Sequence, residues 1–327
     1  MRIVLDAMGS DDCPEPEIQA SIEAAKLFSD EIILVGPVEI LEPRLAGSNA
    51  RIRLVNATDT ITMQDKGMAL ALKAKRNTSQ TTLAIGIDLV KNGEADAFVT
   101  AGNTGGAMAT AYFRLGTIPG VERPALAATF PVYHGQCVVL DIGANPDCKP
   151  EHLLQFAIMG SVYANKVRQI ATPRIGLLSN GEEGGKGNDL VKAAYQLLKE
   201  SNLNFIGNVE GKELFNGAAD VVVTDGFTGN VLLKSSEAVA KLITTILKEE
   251  LKSSLITTFG ALLAKPAFGR IKAMMDPDDV GAAPLLGVNG LVFIGHGRSK
   301  AHALVSAIRV ARQAVLSDTL SAIKAAL

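Results

Sequence analysis

The chain has no tryptophan, 5% aromatic residues, three cysteines and four histidines in 327 positions. Nor does it hold an uninterrupted apolar run near the roughly 18 residues of a membrane-spanning helix. Each shortage excludes something. Cys13, Cys137 and Cys148 make no C-x-x-C pair and are too few for a disulfide framework, so they read as small core residues in a reducing compartment. His134, His152, His296 and His302 show neither H-x-x-x-H nor H-E-x-x-H spacing, which argues against zinc. A net charge of −2 offers no electrostatic footprint for nucleic acid. No G-x-G-x-x-G, G-x-x-x-x-G-K-[ST] or G-x-S-x-G segment occurs, so a dinucleotide fingerprint, a triphosphate loop and a serine acyl-enzyme all lack support. The opening MRIVLDAMGSDD lacks the apolar stretch of a signal peptide and reads as a first strand, so a cytoplasmic location is expected.

What is present is apolar and rhythmic. Hydrophobic residues make up 47% of the chain, and glycine occurs 31 times. Short β-branched runs start near residues 2, 31, 51, 96, 136, 174, 221 and 291. Their continuous apolarity marks strands covered on both faces. Helical periodicity fills 14–29, 62–75, 80–92, 104–115, 150–166, 187–200, 229–252 and 299–316. Strand and helix in alternation predict an α/β protein with a mostly parallel sheet, a Rossmann-like α/β/α sandwich forming one domain over residues 1–327.

The polar residues gather where those runs stop. VVVTDGFTGN (221–230) ends an apolar strand in Asp225, Gly226, Thr228, Gly229 and Asn230, more polar groups and glycines than a tight turn needs. The same excess follows five other runs: Asp6 with Gly9; Gly102, Asn103, Thr104 and Gly105; Asp141 with Gly143 and Asn145; Asn180 with Lys186 and Gly187; and His296 with Gly297. In open parallel sheets ligands settle at the carboxyl ends of strands, so these six loops are expected to share one cleft. AGNTGGAM (101–108) and GEEGGKGND (181–189) each lead from a strand into a helix, the setting in which backbone N–H groups hold an anion, with Lys186 as an added point charge. Two such cradles and few aromatics point to small phosphorylated or inorganic phosphate ligands. Asp6, Asp141 and Asp225 would suit Mg²⁺ if the sheet gathers them, while the neighbouring asparagines and glycines equally suit neutral hydrogen bonding. The expectation is no metal, no cofactor and direct transfer between two bound substrates.

In order, the segments DAMGSD, AGNTGG, VVLDIGAN, LLSNGEEGGKG, VVVTDGFTGNVLLK and APLLGVNGLVFIGHG closely resemble the acyl-acyl-carrier-protein:phosphate acyltransferase family, PlsX, over essentially the whole chain. The resemblance implies a fold related to phosphate acetyltransferases and isocitrate dehydrogenases, and a homodimer. It also implies conversion of an acyl carrier protein thioester and inorganic phosphate into acyl phosphate, which a downstream acyltransferase uses in phospholipid synthesis. It further implies that Lys186 and Asn230 stabilise phosphate or the tetrahedral oxyanion and that the 103–105 backbone cradles phosphate. Asp225, Asp141 and Asn145 would orient these donors, and His296 is the candidate general base. The first loop departs from the family pattern at Ser10, where many members carry a second glycine. Rival readings are a phosphotransacetylase acting on short-chain acyl coenzyme A and a noncatalytic anion-binding scaffold.

One segment breaks the rhythm. Between Lys241 and Lys272 five lysines and one arginine face two glutamates, a local charge of +4, and 253–264 carries no charge at all. Residues 241–276 are therefore expected to form a helical hairpin insertion that serves dimerisation, reversible membrane-surface contact that would place the protein peripherally at the cell membrane, or docking of acidic acyl carrier protein.

Overall fold

The computed structural model describes residues 1–76, 79–275 and 281–327. Its strands are β1 (Arg2–Asp6), β2 (Glu31–Gly36), β3 (Ile52–Asn56), β4 (Ala97–Thr100), β5 (Ala125–Val132), β6 (Gly135–Leu140), β7 (Ile175–Leu178), β8 (Phe205–Val209), β9 (Val221–Val223), β10 (Ala283–Leu286) and β11 (Val292–Ile294). They make one sheet in the order β3-β2-β1-β4-β11-β10-β5-β6-β9-β7-β8. From β3 to β11 all pairings are parallel. β10 then runs against both β11 and β5, and β5 runs against β6. From β6 to β8 the pairings are parallel again.

The mostly parallel α/β sheet expected from sequence is thus present, with one refinement. Three reversals in the middle set the two parallel halves in opposite sense, so the six loops do not lie at one common edge of a uniformly parallel sheet. Twist corrects much of the opposition. Six steps separate β1 from β9. At roughly 20–25° per step they accumulate on the order of 120–150°, leaving nominally opposed strands within about 30–60° of codirectional.

The helices are α1 (Glu15–Phe28), α2 (Val38–Leu45), α3 (Gly67–Lys75), α4 (Thr82–Lys91), α5 (Thr104–Leu115), α6 (Pro150–Lys166), α7 (Asp189–Glu200), α8 (Gly211–Asn216), α9 (Gly226–Leu251), α10 (Leu255–Met275), α11 (Ala301–Leu316) and α12 (Thr319–Ala326). The period-two alternation of a strand sorts β1 onto both sides: Ile3 and Leu5 pack with Ile18 of α1 and Ile308 of α11, while Val4 packs with Leu83 and Ile87 of α4. In the second half Val138 and Leu140 meet Phe156 of α6 and Leu198 of α7. On the opposite face, Val139 and Val222 belong to the same continuous cluster as Val4 and Ile33. That shared layer joins the halves. Each fully buried Val, Ile or Leu in it contributes roughly 1.5–3 kcal/mol.

The hairpin is present as α9 and α10, linked by residues 252–254; residue 276, which closes the expected segment, lies outside the described residues. Along α9 the side chains of Val239, Leu242, Ile243 and Ile246 are exposed, and at the start of α10 Leu255 and Ile256 are 90% and 85% exposed. No helix among the described residues is long and apolar enough to cross a membrane.

A buried acid sits in the first turn of α1. The Oε1 atom of Glu17 accepts a 2.9 Å hydrogen bond from the Ser10 N–H, Oε2 has no partner among the described residues, and the residue is fully buried. Burial pushes its carboxyl up to about 7 from the usual 4.5. In the unfolded chain Glu17 ionises near pH 4.5, while the folded chain keeps the proton until about 7, so stability falls between those pH values and stays reduced above them. The loss is on the order of 3 kcal/mol. Glu17→Gln keeps the acceptor and removes the titration. It is expected to match the parent in urea unfolding near pH 4.5 and to exceed it by up to about 3 kcal/mol at pH 8.5. Parallel stability curves across that range would show that Glu17 ionises freely in the folded protein.

Candidate active site

Asp141 organises the second half of the sheet. At the end of β6 its Oδ1 accepts N–H groups from Leu126 (3.1 Å), Gly143 (3.1 Å) and Ala144 (3.0 Å). Its Oδ2 accepts the Asn145 N–H (2.7 Å) and the Asn145 amide (2.9 Å). Burial pushes the carboxyl up, and the hydrogen bonds from Ala144, Asn145 and Gly143 act in the other direction. Asn145 also donates to the Pro124 carbonyl at 2.7 Å, and its own carbonyl accepts the Gly226 N–H at 2.8 Å. The Asp141 carboxylate and the Asn145 amide nitrogen are thus both engaged in shaping the loop.

Onto that loop docks the N-terminus of α9. Asp225 caps the helix: Oδ1 accepts the Thr228 N–H at 2.9 Å and Oδ2 the Thr228 hydroxyl at 2.7 Å. The helix comes so close that a Cβ on Gly229 would fall inside the Asp141 carbonyl oxygen, and one on Gly226 would lie 2.7 Å from the Asn145 carbonyl. This is what the second glycine of TDGFTGN is for. Asn230 follows, half-buried, beside Gly143, and its amide makes no hydrogen bond among the described residues.

The first half is built from the ends of β1, β4 and β11. Asp6 is buried; its Oδ1 accepts the Met8 N–H (3.0 Å) and its Oδ2 the Thr100 hydroxyl (2.8 Å), while burial pushes its carboxyl up. Thr100 Oγ1 in turn accepts the Gly102 N–H at 2.9 Å. Gly9 lets the first loop lie on the second: its Cβ would sit 2.9 Å from the Gly102 nitrogen. Asn103 caps α5 through Oδ1 to the Gly106 N–H (2.9 Å), and its amide donates to the carbonyls of Thr62 (2.9 Å) and Asp65 (3.1 Å). The side chain is spent on structure. The Thr104 and Gly105 N–H groups in the first turn remain open to an anion, with the helix dipole behind them. The Gly297 carbonyl accepts the Asp11 N–H at 2.7 Å, which draws the β11 loop onto the first.

Above the shared apolar layer the halves also meet through side chains: His296 Nε2 lies 3.5 Å from Oε1 of Glu237, on α9 two turns beyond Asn230. The long helix that starts in the second half therefore crosses to the mouth of the first. Lys186 and Asn180 are exposed on the loop between β7 and α7, and Lys186 has no ion-pair partner among the described residues. Nearby Glu182, Glu210 and Glu213 approach within ligand spacing of one another, but the Lys212 ammonium pairs with all three, at 3.0, 3.5 and 3.2 Å. Between the starts of α7 and α9 opens a cleft of about 360 Å³, lined among others by Asn188 and Thr228, each two residues from Lys186 and Asn230 respectively.

Thr100, Glu237 and the cleft residues Cys148 and Phe227 carry no sequence signal that singles them out. Thr100 ends a strand of ordinary composition, and Glu237 is one charge among many on a surface helix. Burial and ring chemistry give no activated nucleophile: the thiols of Cys137 and Cys148 are both pushed up to about 12 by burial.

Comparison with known proteins adds the following. A family described as fatty acid synthesis protein matches residues 1–321. A phosphate acyltransferase of Acidobacterium capsulatum is 49% identical over 95% of this chain and 92% of its own length. One of Heliobacterium modesticaldum is 48% identical over 99% and 97%. Among solved structures, a phosphotransacetylase from Streptococcus pyogenes has a TM-score of 0.62 at 18% identity, covering 97% of this chain and 94% of that one. The EutD phosphotransacetylase from Staphylococcus aureus has 0.58 at 17%, covering 100% and 94%. These distant structures share the fold.

Gly229→Ala forces the start of α9 off the Asp141 loop and is expected to destabilise the fold by roughly 1–3 kcal/mol, the cost of overpacking. Gly105→Ala meets only Asn103 Oδ1, at 3.5 Å, and is expected to leave the melting temperature within about a degree. Equal melting of the two variants would contradict the docking described here.

Proposed function

We infer a phosphate acyl transfer at these strand-end loops from a plain premise: the chain belongs to the fatty acid synthesis protein family. Its full-length relatives at 46–49% identity are named phosphate acyltransferases, and this chain is an acyltransferase of that kind, forming acyl phosphate for lipid synthesis. The finer reading takes acyl carrier protein as the acyl donor and inorganic phosphate as the acceptor. The observation that carries it is that the exposed first turn of α5, capped by Asn103, and the polar side chains of Lys186 and Asn230, which make no hydrogen bond among the described residues, all sit at loops that follow strand ends.

The chemistry asks little of side-chain nucleophiles. Phosphate, with a second pKa around 6 to 7, attacks the thioester carbon through one oxygen; a C–O bond forms and the carbonyl electrons move onto oxygen. Lys186 and Asn230 stabilise that oxyanion or the phosphate charge, and the Thr104 and Gly105 N–H groups hold phosphate in place. Collapse breaks the C–S bond and releases a thiolate whose conjugate acid has a pKa near 8.5, which leaves without strong acid help. Positioning supplies roughly 7–11 kcal/mol and each oxyanion donor about 3 kcal/mol. Asp6, Asp141, Asn145 and Asp225 hold the loops, and the Gly9, Gly102, Gly143, Gly187, Gly226 and Gly229 positions let backbone approach. Asn180 and Thr228 line the same region. In this reading His296, which faces Glu237, accepts a proton from the attacking phosphate monoanion.

The hairpin supports the partner reading. Its exposed apolar side chains and +4 charge suit both a second copy of the chain and an anionic leaflet, at about 1 kcal/mol per basic residue near such a surface. A homodimer bearing a peripheral membrane-facing tip would release acyl phosphate beside the acyltransferase that consumes it. A cytoplasmic location accords with the absence, among the described residues, of a membrane-spanning helix.

Two measurements test this reading. Lys186→Ala and Asn230→Ala are each expected to lower kcat for acyl phosphate formation from palmitoyl-acyl carrier protein by on the order of 10²–10³ at unchanged melting temperature. Near-normal turnover in both would remove them from the mechanism, and preference for acetyl coenzyme A would favour the phosphotransacetylase alternative. Phe259→Glu is expected to abolish co-flotation with anionic vesicles while leaving solution turnover intact. Equal flotation of parent and variant would rule out membrane contact through this tip.

A further inference from the structure

The cleft between α7 and α9 carries an assignment of its own. It adjoins the start of α9, and its wall mixes two kinds of surface: Leu190, Cys148 and Phe227 on one hand, Asp147, Asn188 and Asp225 on the other. Phe227 is 65% exposed, an uncovered ring immediately before the helix turn that bears Asn230. Two carboxylates and no cation line the space, so it repels phosphate and any other anion. An alkyl chain fits no better, because it would strip water from Asp147 and Asp225 and return no hydrogen bond. The lining calls for a neutral ligand that alternates amide N–H or hydroxyl donors with apolar groups. About 360 Å³ falls at the lower end of the roughly 300–1,000 Å³ typical of small-molecule sites, room for one slender arm and little more.

We propose that this cleft holds the pantetheine arm of the acyl donor, its amides and hydroxyl donating to Asp147 and Asp225 and its geminal methyl groups lying on Phe227 and Leu190. The assignment rests on the thioester reading of the reaction. It explains the position of the cleft. An arm lying against Asp225 and Thr228 ends at the next turn of α9, so its thioester carbonyl arrives beside Asn230 while phosphate is held elsewhere. Acyl chain and phosphate then approach from different sides, and the donor is recognised by its carrier arm before its chain length matters.

The test compares donors that have and lack the arm. Phe227→Ala and Asp147→Arg, both at exposed positions, are assayed with palmitoyl-acyl carrier protein and with palmitoyl-N-acetylcysteamine, which keeps the thioester and one amide but lacks the pantoyl portion. Both variants are expected to raise KM for the carrier-protein donor about tenfold and leave KM for phosphate unchanged, with less than a twofold effect on the truncated donor. An unchanged KM for the carrier-protein donor, an equal effect on both donors, or a shift in phosphate KM alone would each overturn the assignment. A parent enzyme that makes acyl phosphate from neither donor would instead overturn the reaction, and the cleft assignment with it. Activity of the parent on both donors keeps the two failures distinct.

Discussion

The site depends on a buried carboxylate being surrounded. Asp141 receives five hydrogen bonds from Leu126, Gly143, Ala144 and Asn145. Those bonds bend the chain after β6 into a shelf of backbone. Removal of water from Asp141 is costly, and only a full shell of donors offsets it. The shelf is what α9 rests on. Gly226 and Gly229 allow contact at backbone distance, Asp225 caps the helix from outside, and Phe227 and Asn230 are left without a hydrogen-bonding or capping duty in the first turns among the described residues. Rigidity is passed from the Asp141 carboxylate through the shelf to the start of α9, which carries Asn230.

A comparable device operates in the other half with a shorter chain of bonds. Asp6 holds Thr100, Thr100 holds the Gly102 N–H, and Gly9 closes the gap. What links the two devices in the structure is α9, and the ordinary twist of a sheet reduces the opposition between their strands. The contact of Glu237 with His296 shows α9 reaching across. The unbroken apolar layer beneath, from Val4 to Val222, limits relative motion of the halves, because shifting one against the other would open voids in a closely packed interior.

Much of this was legible in the residues, for reasons that differ between elements. β1, β2, β6 and β9 are covered on both faces, so each appears as an unbroken apolar run, and the polar residues that end them stand out by contrast. β5, β8 and β10 were not legible: ALAATFPV contains Pro131, FIGNV contains Gly207 and APLL contains Pro284, and in each case a residue that usually ends a strand sits inside one. Those missed strands are the ones that matter for direction, since β5 and β10 make the reversals; a reading without them gives a uniformly parallel sheet. α2 was hidden by Pro43 and α8 by being six residues long. At the site, Asp225, Gly229 and Asn230 were visible as an excess over turn chemistry. Asn103 was visible too, but its side chain proves to be a helix cap, and spacing alone does not separate a cap from a ligand group.

The arrangement of charge also bears on why a thiol beside the site stays out of the chemistry. Cys148 lines the cleft near Asp225 and Asp147, with its sulfur donating to the Asn145 carbonyl at 3.4 Å. Burial, with the negative charges of Asp141, Asp225 and Asp147 adding to it, pushes the thiol up to about 12, so the thiolate is scarce at neutral pH. With the carrier arm lying in the cleft as proposed, the sulfur beside it is a thiol rather than a thiolate and does not compete for the acyl group. Burial is the main cause and Asp141 the leading charge; Asp225 and Asp147, which line the cleft, reinforce an effect they do not set.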